Sequence, residues 1–361
     1  MNLRLSLAGT QAFVKGSPWI AAEQQLGFRR VPPAGTILRV QDAHADFLGW
    51  CVSDGPGLRP AFRVLSRGRH EDFGAAWWAA RVEAALARRR ALGLLQGPRR
   101  WIHAEADGLP GLVVEGAEGV LLCSYASPGV LTFAELVETA LLQQLRPRGI
   151  WRRDLGPRGW GPWARSPLTP AAPARFSAAE PGVDFVADLE AAALGPGLPH
   201  ALERRAWRAW SRAEAAGRKV LLLGGLDGEA ASARAAAPAE LVFAERGIFK
   251  ALAKAAGGGY ECVGLDVPRE SKESFGRFNV EKHLPRLLSD LAAACAPGAQ
   301  ILCTGSTRPL WFSQAWEEAW KAARPDAPPV LERVLGPEAD FPEHPQWPEG
   351  RARKAFLFRL F

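Results

Sequence analysis

From residue 219 onward, apolar runs of strand length alternate with helix-length stretches, and this alternation constrains the fold more than any other feature. KVLLLGG reads as a buried strand, GEAASARAAA as a short helix, AELVFAE as a second strand and GIFKALAKAA as a second helix. YECVGLD, VEKHLPRLLSDLAAACA and AQILCTG continue as strand, helix and strand, and KAFLFRLF reads as a last strand closing the sheet. Parallel neighbours need long crossovers, so the pattern predicts an α/β fold with a doubly wound, largely parallel sheet. Ligands of such sheets bind beyond the carboxyl ends of the strands, and Glu245 and Asp266 both fall at such ends.

The upstream half reads differently. In residues 1–70 the runs GTILRVQ, DFLGWCV and PAFRVLS alternate with Gly, Pro and Asp turns, which predicts a small antiparallel β-barrel. Residues 71–155 form a middle α+β domain: the helix AAWWAARVEAALARRRALGLL, with a basic face including Arg88, Arg89 and Arg90, then RRWIHAEAD and GLVVEGAEGVLLCSYA as strands, then the helix TFAELVETALLQQL. Residues 156–182 are rich in Pro and Gly and read as a linker without regular elements, leaving 183–361 as the α/β domain.

A chain of 361 residues exceeds one typical core, and 48% hydrophobic with 23% charged residues is globular. No apolar run approaches the roughly 18–20 residues that span a bilayer, and MNLRLSLAGTQAFVKG lacks the apolar core of a signal peptide, so no membrane association is expected. Cys51, Cys123, Cys262, Cys295 and Cys303 are widely spaced in apolar surroundings, as in a reduced cytoplasmic protein without a zinc site or a disulfide framework. Residues 1–100 hold 15 Lys and Arg against 7 Asp and Glu, whereas residues 201–300 hold 15 against 12. A basic N-terminal third suits a polyanion such as RNA, and an Arg-rich solvated surface is the alternative.

KGSPW near the start, HAEADGLPGLVVEG in the middle and EHPQWPEGRARKAFLFR at the end carry a resemblance over nearly the whole chain. The sequence resembles the PUA-containing, class I S-adenosylmethionine-dependent methyltransferases that make 5-methylcytosine in large-subunit (23S) ribosomal RNA. EADGLPGLVV is the most specific string, and Ser17 stands where the family usually has His. The resemblance implies a PUA-like RNA-binding barrel, a middle domain and a Rossmann-like methyltransferase domain, with S-adenosylmethionine as cofactor and ribosomal RNA as partner. It places RNA contacts among Lys15, Trp19, Arg29, Arg30, Arg67 and Arg69, where Trp19 either stacks on a base or packs in the barrel. Trp160 and Trp163, between Arg158 and Arg165, suit a nucleic-acid or protein contact or pin the linker to a domain surface.

The methyltransferase motifs are altered. GPGLPHALERRAWR occupies the place of the family's KTGxFLDQR-like cofactor segment: Leu202, Arg205 and Arg208 match, while Gly197, Leu198, Pro199, Ala201 and Arg204 replace its Lys, Thr, Gly, Phe and Gln. Gly224, Gly225 and Gly228 retain a cofactor-type turn before a helix, although glycines there are often structural and the pattern is not GxGxxG. Glu245 matches the acid that holds the ribose hydroxyls. Only 21 residues separate Glu245 from Asp266, where a helix, a strand and another helix take roughly 40–50 residues, so one strand-helix unit is expected to be missing.

LDVPRESK resembles the family's DPP loop, with Asp266 and Pro268 retained, so Asp266 is a candidate base-orienting residue or a carboxylate capping a turn. Carbon-5 methylation of cytosine needs a thiolate, yet the aligned nucleophile position is Ser306, and Cys303 lies within an apolar strand. Two readings follow. The losses together favour an RNA-binding relative with impaired catalysis, possessing no required cofactor; the other reading is an active methyltransferase with an altered site, such as one acting on a base nitrogen.

Overall fold

The computed structural model describes every residue except 95–96, 157–158, 181–182, 191–201, 203, 274–275, 306, 337–339 and 347–352. The chain forms two compact units: Met1–Ala178 with Phe185–Pro199 and Ala339–Arg351, and Ala179–Asp184 with His200–Glu338 and Ala352–Phe361. Among the described residues no helix is long and apolar enough to cross a membrane.

In the first unit, β1 (Asn2–Arg4), β2 (Trp19–Ile20), β3 (Ile37–Gln41), β4 (Phe47–Ser53) and β5 (Phe62–Ser66) form a sheet in the order β1-β3-β4-β5-β2. The pair β1–β3 is parallel, so this sheet is mixed and not wholly antiparallel. The helix Leu7–Val14 interrupts the expected all-β run, and its signal is Ser6, whose Oγ accepts from Gly9 N at 3.2 Å.

A second sheet joins β6 (Arg99–His103), β7 (Leu112–Ala117), β8 (Val120–Tyr125), β9 (Gly149–Gly156) and β10 (Gly159–Trp160), with β11 (Ala164–Arg165) also pairing β9. The expected linker therefore carries short strands: its backbone groups are satisfied by β9, and Ser166 is buried, its Oγ donating to Glu138 Oε2 at 2.5 Å. The helices Ala75–Ala91 and Ala134–Leu145 pack beside this sheet through Trp78, Val82, Leu86, Val137 and Leu141. Val52 and Leu65 of the first sheet belong to the same cluster, which unites the barrel-like and middle segments in one core. β12 (Arg175–Glu180) and β13 (Val183–Asp188) form a separate ladder.

The second unit contains the doubly wound sheet. Its strands are β14 (Lys219–Leu223), β15 (Glu240–Ala244), β16 (Tyr260–Val267), β19 (Cys295–Gly305), β20 (Val330–Leu335) and β21 (Ala355–Arg359), in the order β15-β14-β16-β19-β21-β20. β14 runs parallel to β15 and β16, β16 parallel to β19, and β21 antiparallel to β19 and β20. Leu221 and Leu223 enter one apolar cluster with Val263, Leu265 and Ile301, while Val220 and Leu222 enter another with Cys262 and Leu302. Both faces are covered, which is why these strands appear as continuous apolar runs.

The interval from Glu245 to Asp266 holds one helix, Ile248–Ala255, and β16. β15 has no outer partner among the described strands, and its apolar side chains are only half-buried. The last strand, expected to close the sheet, lies inside it between β19 and β20. After Pro268 the chain forms a hairpin of β17 (Glu270–Glu273) and β18 (Gly276–Asn279).

Candidate functional site

The carboxyl ends of β14, β16 and β19 lie side by side, with Leu223 opposite Leu265 and Asp266 opposite Thr304. Gly224 leaves β14 at φ +89, and a Cβ there would stand 2.1 Å from the Asp266 carbonyl oxygen. The close approach of two strand ends therefore requires this glycine. A Cβ on Gly225 would lie 3.2 Å from Asp266 Oδ2. Gly228 falls within the first turn of the helix Asp227–Ala235.

Arg204 reaches into this turn. Its Nη1 donates to the carbonyl oxygen of Gly225 at 2.6 Å, and its Nη2 lies 3.1 Å from Glu229 and 4.0 Å from Asp266. The guanidinium sits over Trp207, 4.7 Å from the ring centroid. Arg353 approaches Asp266 from another segment, at 3.7 Å. Asp266 is 8% exposed and Glu229 1%, so these charges are held away from solvent and depend on one another.

Asp266 lies inside β16 rather than on a loop, and Pro268 follows the strand half-buried. Glu245 is exposed just past β15 and has no ion pair among the described residues. Ser306, the replaced positions Gly197, Leu198, Pro199 and Ala201, and Arg158 lie outside the described residues. Cys303 is buried in β19, where burial drives its thiol far above its ordinary range and suppresses the thiolate. Among the described residues no group of acids, His and Cys could hold a metal ion.

The nucleic-acid candidates of the first unit separate into two sets. Lys15, Arg29 and Arg30 are exposed, and Arg69 lies over the Phe47 ring at 5.6 Å. Arg67 is engaged in structure: it lies over the Phe13 ring at 4.8 Å, its Nη2 donates to the Ser17 carbonyl at 3.0 Å, and burial lowers its pKa. Arg89, expected on a basic helix face, is instead fully buried, because Asp107 pairs with it at 2.7 Å while also accepting from His103 N at 2.7 Å. Arg88 completes that cluster at 2.7 Å.

Trp19 is half-buried and borders a cavity of about 360 Å³, and its indole Nε1 donates to Glu105 Oε1 at 2.7 Å. Arg63 donates to the same oxygen at 2.5 Å and through Nε to Asp54 at 2.6 Å. Sequence reasoning quoted Glu105 within EADGLPG but gave it no role; the 3₁₀ turn Ala104–Asp107 aims Asp107 at the arginines and brings Glu105 to the cavity. Arg153 and Trp160 also line it, with Arg153 stacked between Trp160 at 4.6 Å and Trp163 at 4.4 Å.

No family model matches the chain. A stretch of 129 residues is 36% identical to the ribosomal RNA large subunit methyltransferase of Deinococcus radiodurans, covering 34% of this chain and 31% of that protein. The match thus spans about a third of the curated relative's length. Two solved structures align over 100% of both chains at 13% identity: SMU.776, named as a methyltransferase and complexed with S-adenosylhomocysteine, at a TM-score of 0.78, and a protein named as an S-adenosylmethionine-dependent methyltransferase of Streptococcus mutans, at 0.75. The chain has the mixed α/β fold of these proteins.

Proposed function

We propose that this chain is an RNA-binding protein of the ribosomal-RNA cytosine-C5 methyltransferase family, cytoplasmic, with its cofactor turn closed and its catalysis impaired. The observation that carries the reading is Arg204, whose guanidinium engages the carbonyl of Gly225 and lies beside Glu229 and Asp266. Arginine stays charged at any physiological pH, and S-adenosylmethionine brings a sulfonium cation of its own. As arranged, the turn does not fit that cofactor: the Gly225 carbonyl accepts from Arg204 and Asp266 faces two guanidiniums. We therefore derive no methyl transfer through this site.

Further support comes from the single helix between Glu245 and Asp266, which leaves β15 as the sheet edge and is consistent with loss of a strand-helix unit. The serine at position 306 supplies no thiolate, and the thiol of Cys303 is buried. Residues 1–70 serve in this reading as a PUA-like module that contacts ribosomal RNA through Lys15, Arg29, Arg30 and Arg69. The relative from Deinococcus radiodurans carries the name of an rRNA methyltransferase, which favours RNA over other polyanions.

The test is calorimetric titration with S-adenosylmethionine, paired with thermal unfolding. A cofactor present at about a hundred times its Kd would stabilise the fold by about 2.7 kcal/mol and raise the melting temperature by roughly 5–10 °C. The expected result is no saturable heat and no shift. Saturable binding that disappears in Glu245→Ala would instead support the active-enzyme reading.

A further inference from the structure

β15 is an edge of the doubly wound sheet, and only one side of its backbone is used. The Gly224 amide donates to the Ala244 carbonyl at 2.9 Å, and the Glu240 amide lies 3.5 Å from the Arg218 carbonyl. Glu240 and Ala244 therefore face β14, and the alternation of a parallel ladder turns the N–H and C=O groups of Leu241 and Phe243 outward. Among the described residues none of these outward groups has a hydrogen-bond partner. The side chains from Leu241 to Ala244 are only half-buried. A short apolar strand with unpaired backbone groups is a template for another strand.

Between Val242 of this strand and the helix Ile248–Ala255 runs a groove of about 350 Å³. Val242, Ala251 and Tyr260 give it an apolar floor, and Arg246, Lys250 and Lys254 stand along it. Lys250 and Lys254 lie one helical turn apart and share a face. All three cations are exposed, and among the described residues none makes an ion pair and no carboxylate lines the groove. Glu240, at the start of β15, is already engaged: it accepts from the Tyr260 hydroxyl at 3.0 Å and lies 3.5 Å from Lys219. The groove carries unmatched positive charge.

These two features select one occupant. Strand addition requires a polypeptide, because neither a nucleic acid nor a small anion offers alternating N–H and C=O groups at strand spacing. The cations require carboxylates, and a second copy of this chain would bring its own three cations to the same edge, the usual device against self-pairing. We propose that β15 docks an extended acidic segment of a partner protein, about five residues long like β15 itself, as a further strand of the sheet. Alternate side chains of that segment, on the Val242 face, are carboxylates that meet Arg246, Lys250 and Lys254. Those between them are apolar and cover Leu241 and Phe243.

The experiment measures anisotropy of a labelled heptapeptide of alternating Glu and Val, titrated with the full chain. Saturable binding is expected, weakened about tenfold in the double variant Lys250→Gln with Lys254→Gln, which removes two exposed charges and leaves the melting temperature unmoved. Two further peptides keep every charge but carry N-methyl groups on the Glu residues or on the Val residues. In an added strand only one of these sets points its N–H groups at β15, so one methylated peptide should lose binding about tenfold while the other binds like the parent. No saturable binding of the parent peptide overturns the proposal. So does binding that the two methylations affect equally, that the double variant leaves unchanged, or that a peptide with Lys in place of Glu matches. Binding of a uridine oligonucleotide that the double variant abolishes, without peptide binding, would assign the groove to a phosphate chain. Protection of the Leu241 and Phe243 amides that rises with protein concentration would assign the edge to a second copy, and either result overturns the proposal.

Discussion

Each unit buries an acid against an arginine, and the two centres are built differently. In the second unit, the Arg204 guanidinium reaches the Gly225 carbonyl, Glu229 and Asp266, and the strand ends close on one another through Gly224. In the first unit, Arg63 donates to Asp54, to one oxygen of Glu105 and to the Ala126 carbonyl, and the other Glu105 oxygen is buried without a hydrogen-bond partner among the described residues. The difference lies in the arginine: Arg204 has buried atoms that make no hydrogen bond among the described residues, at Nε and Nη2, whereas around Arg63 such an atom belongs to the carboxylate, at Glu105 Oε2.

The comparison breaks most severely where a buried charge loses the one counter-ion it has among the described residues. Asp107→Ala would strand Arg89, whose side chain is fully buried, and should destabilise the first unit by about 3–5 kcal/mol in denaturant unfolding. A change within 1 kcal/mol would mean that the arginine cluster is not a structural centre. In the second unit, Gly224→Ala must place a methyl group against the Asp266 carbonyl at a positive φ. The expected loss is about 2–3 kcal/mol, and a neutral result would show that the strand ends are not closed as described.

Arg204→Gln sharpens the contrast, since it restores the residue type of the related motif and frees the Gly225 carbonyl. If Arg204 is what closes the turn, the variant should gain measurable heat on titration with S-adenosylhomocysteine that the native chain lacks. Equal absence of heat in both would shift the cause to the missing edge of the sheet.

The smallest effect is a pH dependence of opposite sign in the two units. Burial raises the Glu115 and Glu138 carboxyls, so the folded first unit takes up protons before its unfolded form does. Its stability should therefore rise as pH falls from their folded values into the ordinary carboxylate range. In the second unit the Arg359 hydrogen bond lowers Glu332, whose contribution is present above the ordinary carboxylate range and lost as pH falls through its folded value. Glu332 is largely exposed, and screening keeps that contribution small. Native-state amide exchange, corrected for intrinsic rates, should show Val114 gaining protection relative to Leu357 on acidification; parallel behaviour would contradict the assignment.

Much of the second unit was legible because its strands are covered on both faces: Val220–Leu223 could hardly be anything but a buried strand, and the 21-residue interval forecast a single intervening helix. The N-terminal helix was hidden because Ser6 is a short cap signal amid residues that read equally as strand and turn. The apparent linker misled because Pro and Gly content does not register that Ala164–Arg165 can borrow hydrogen bonds from β9. The sites were least legible. Nothing in ALERRAWR indicates that Arg204 rather than Arg205 meets Gly225, and nothing local to EADGLPG indicates that Trp19, 86 residues away, shares an oxygen of Glu105 with Arg63.

The most direct test is hydrogen–deuterium exchange of the full chain, mapped with S-adenosylmethionine and separately with a large-subunit rRNA fragment. The account predicts protection of peptides within residues 1–70 by the RNA, and no change over residues 219–235 with S-adenosylmethionine. Protection of residues 219–235 by the cofactor, with none of 1–70 by the RNA, would contradict it.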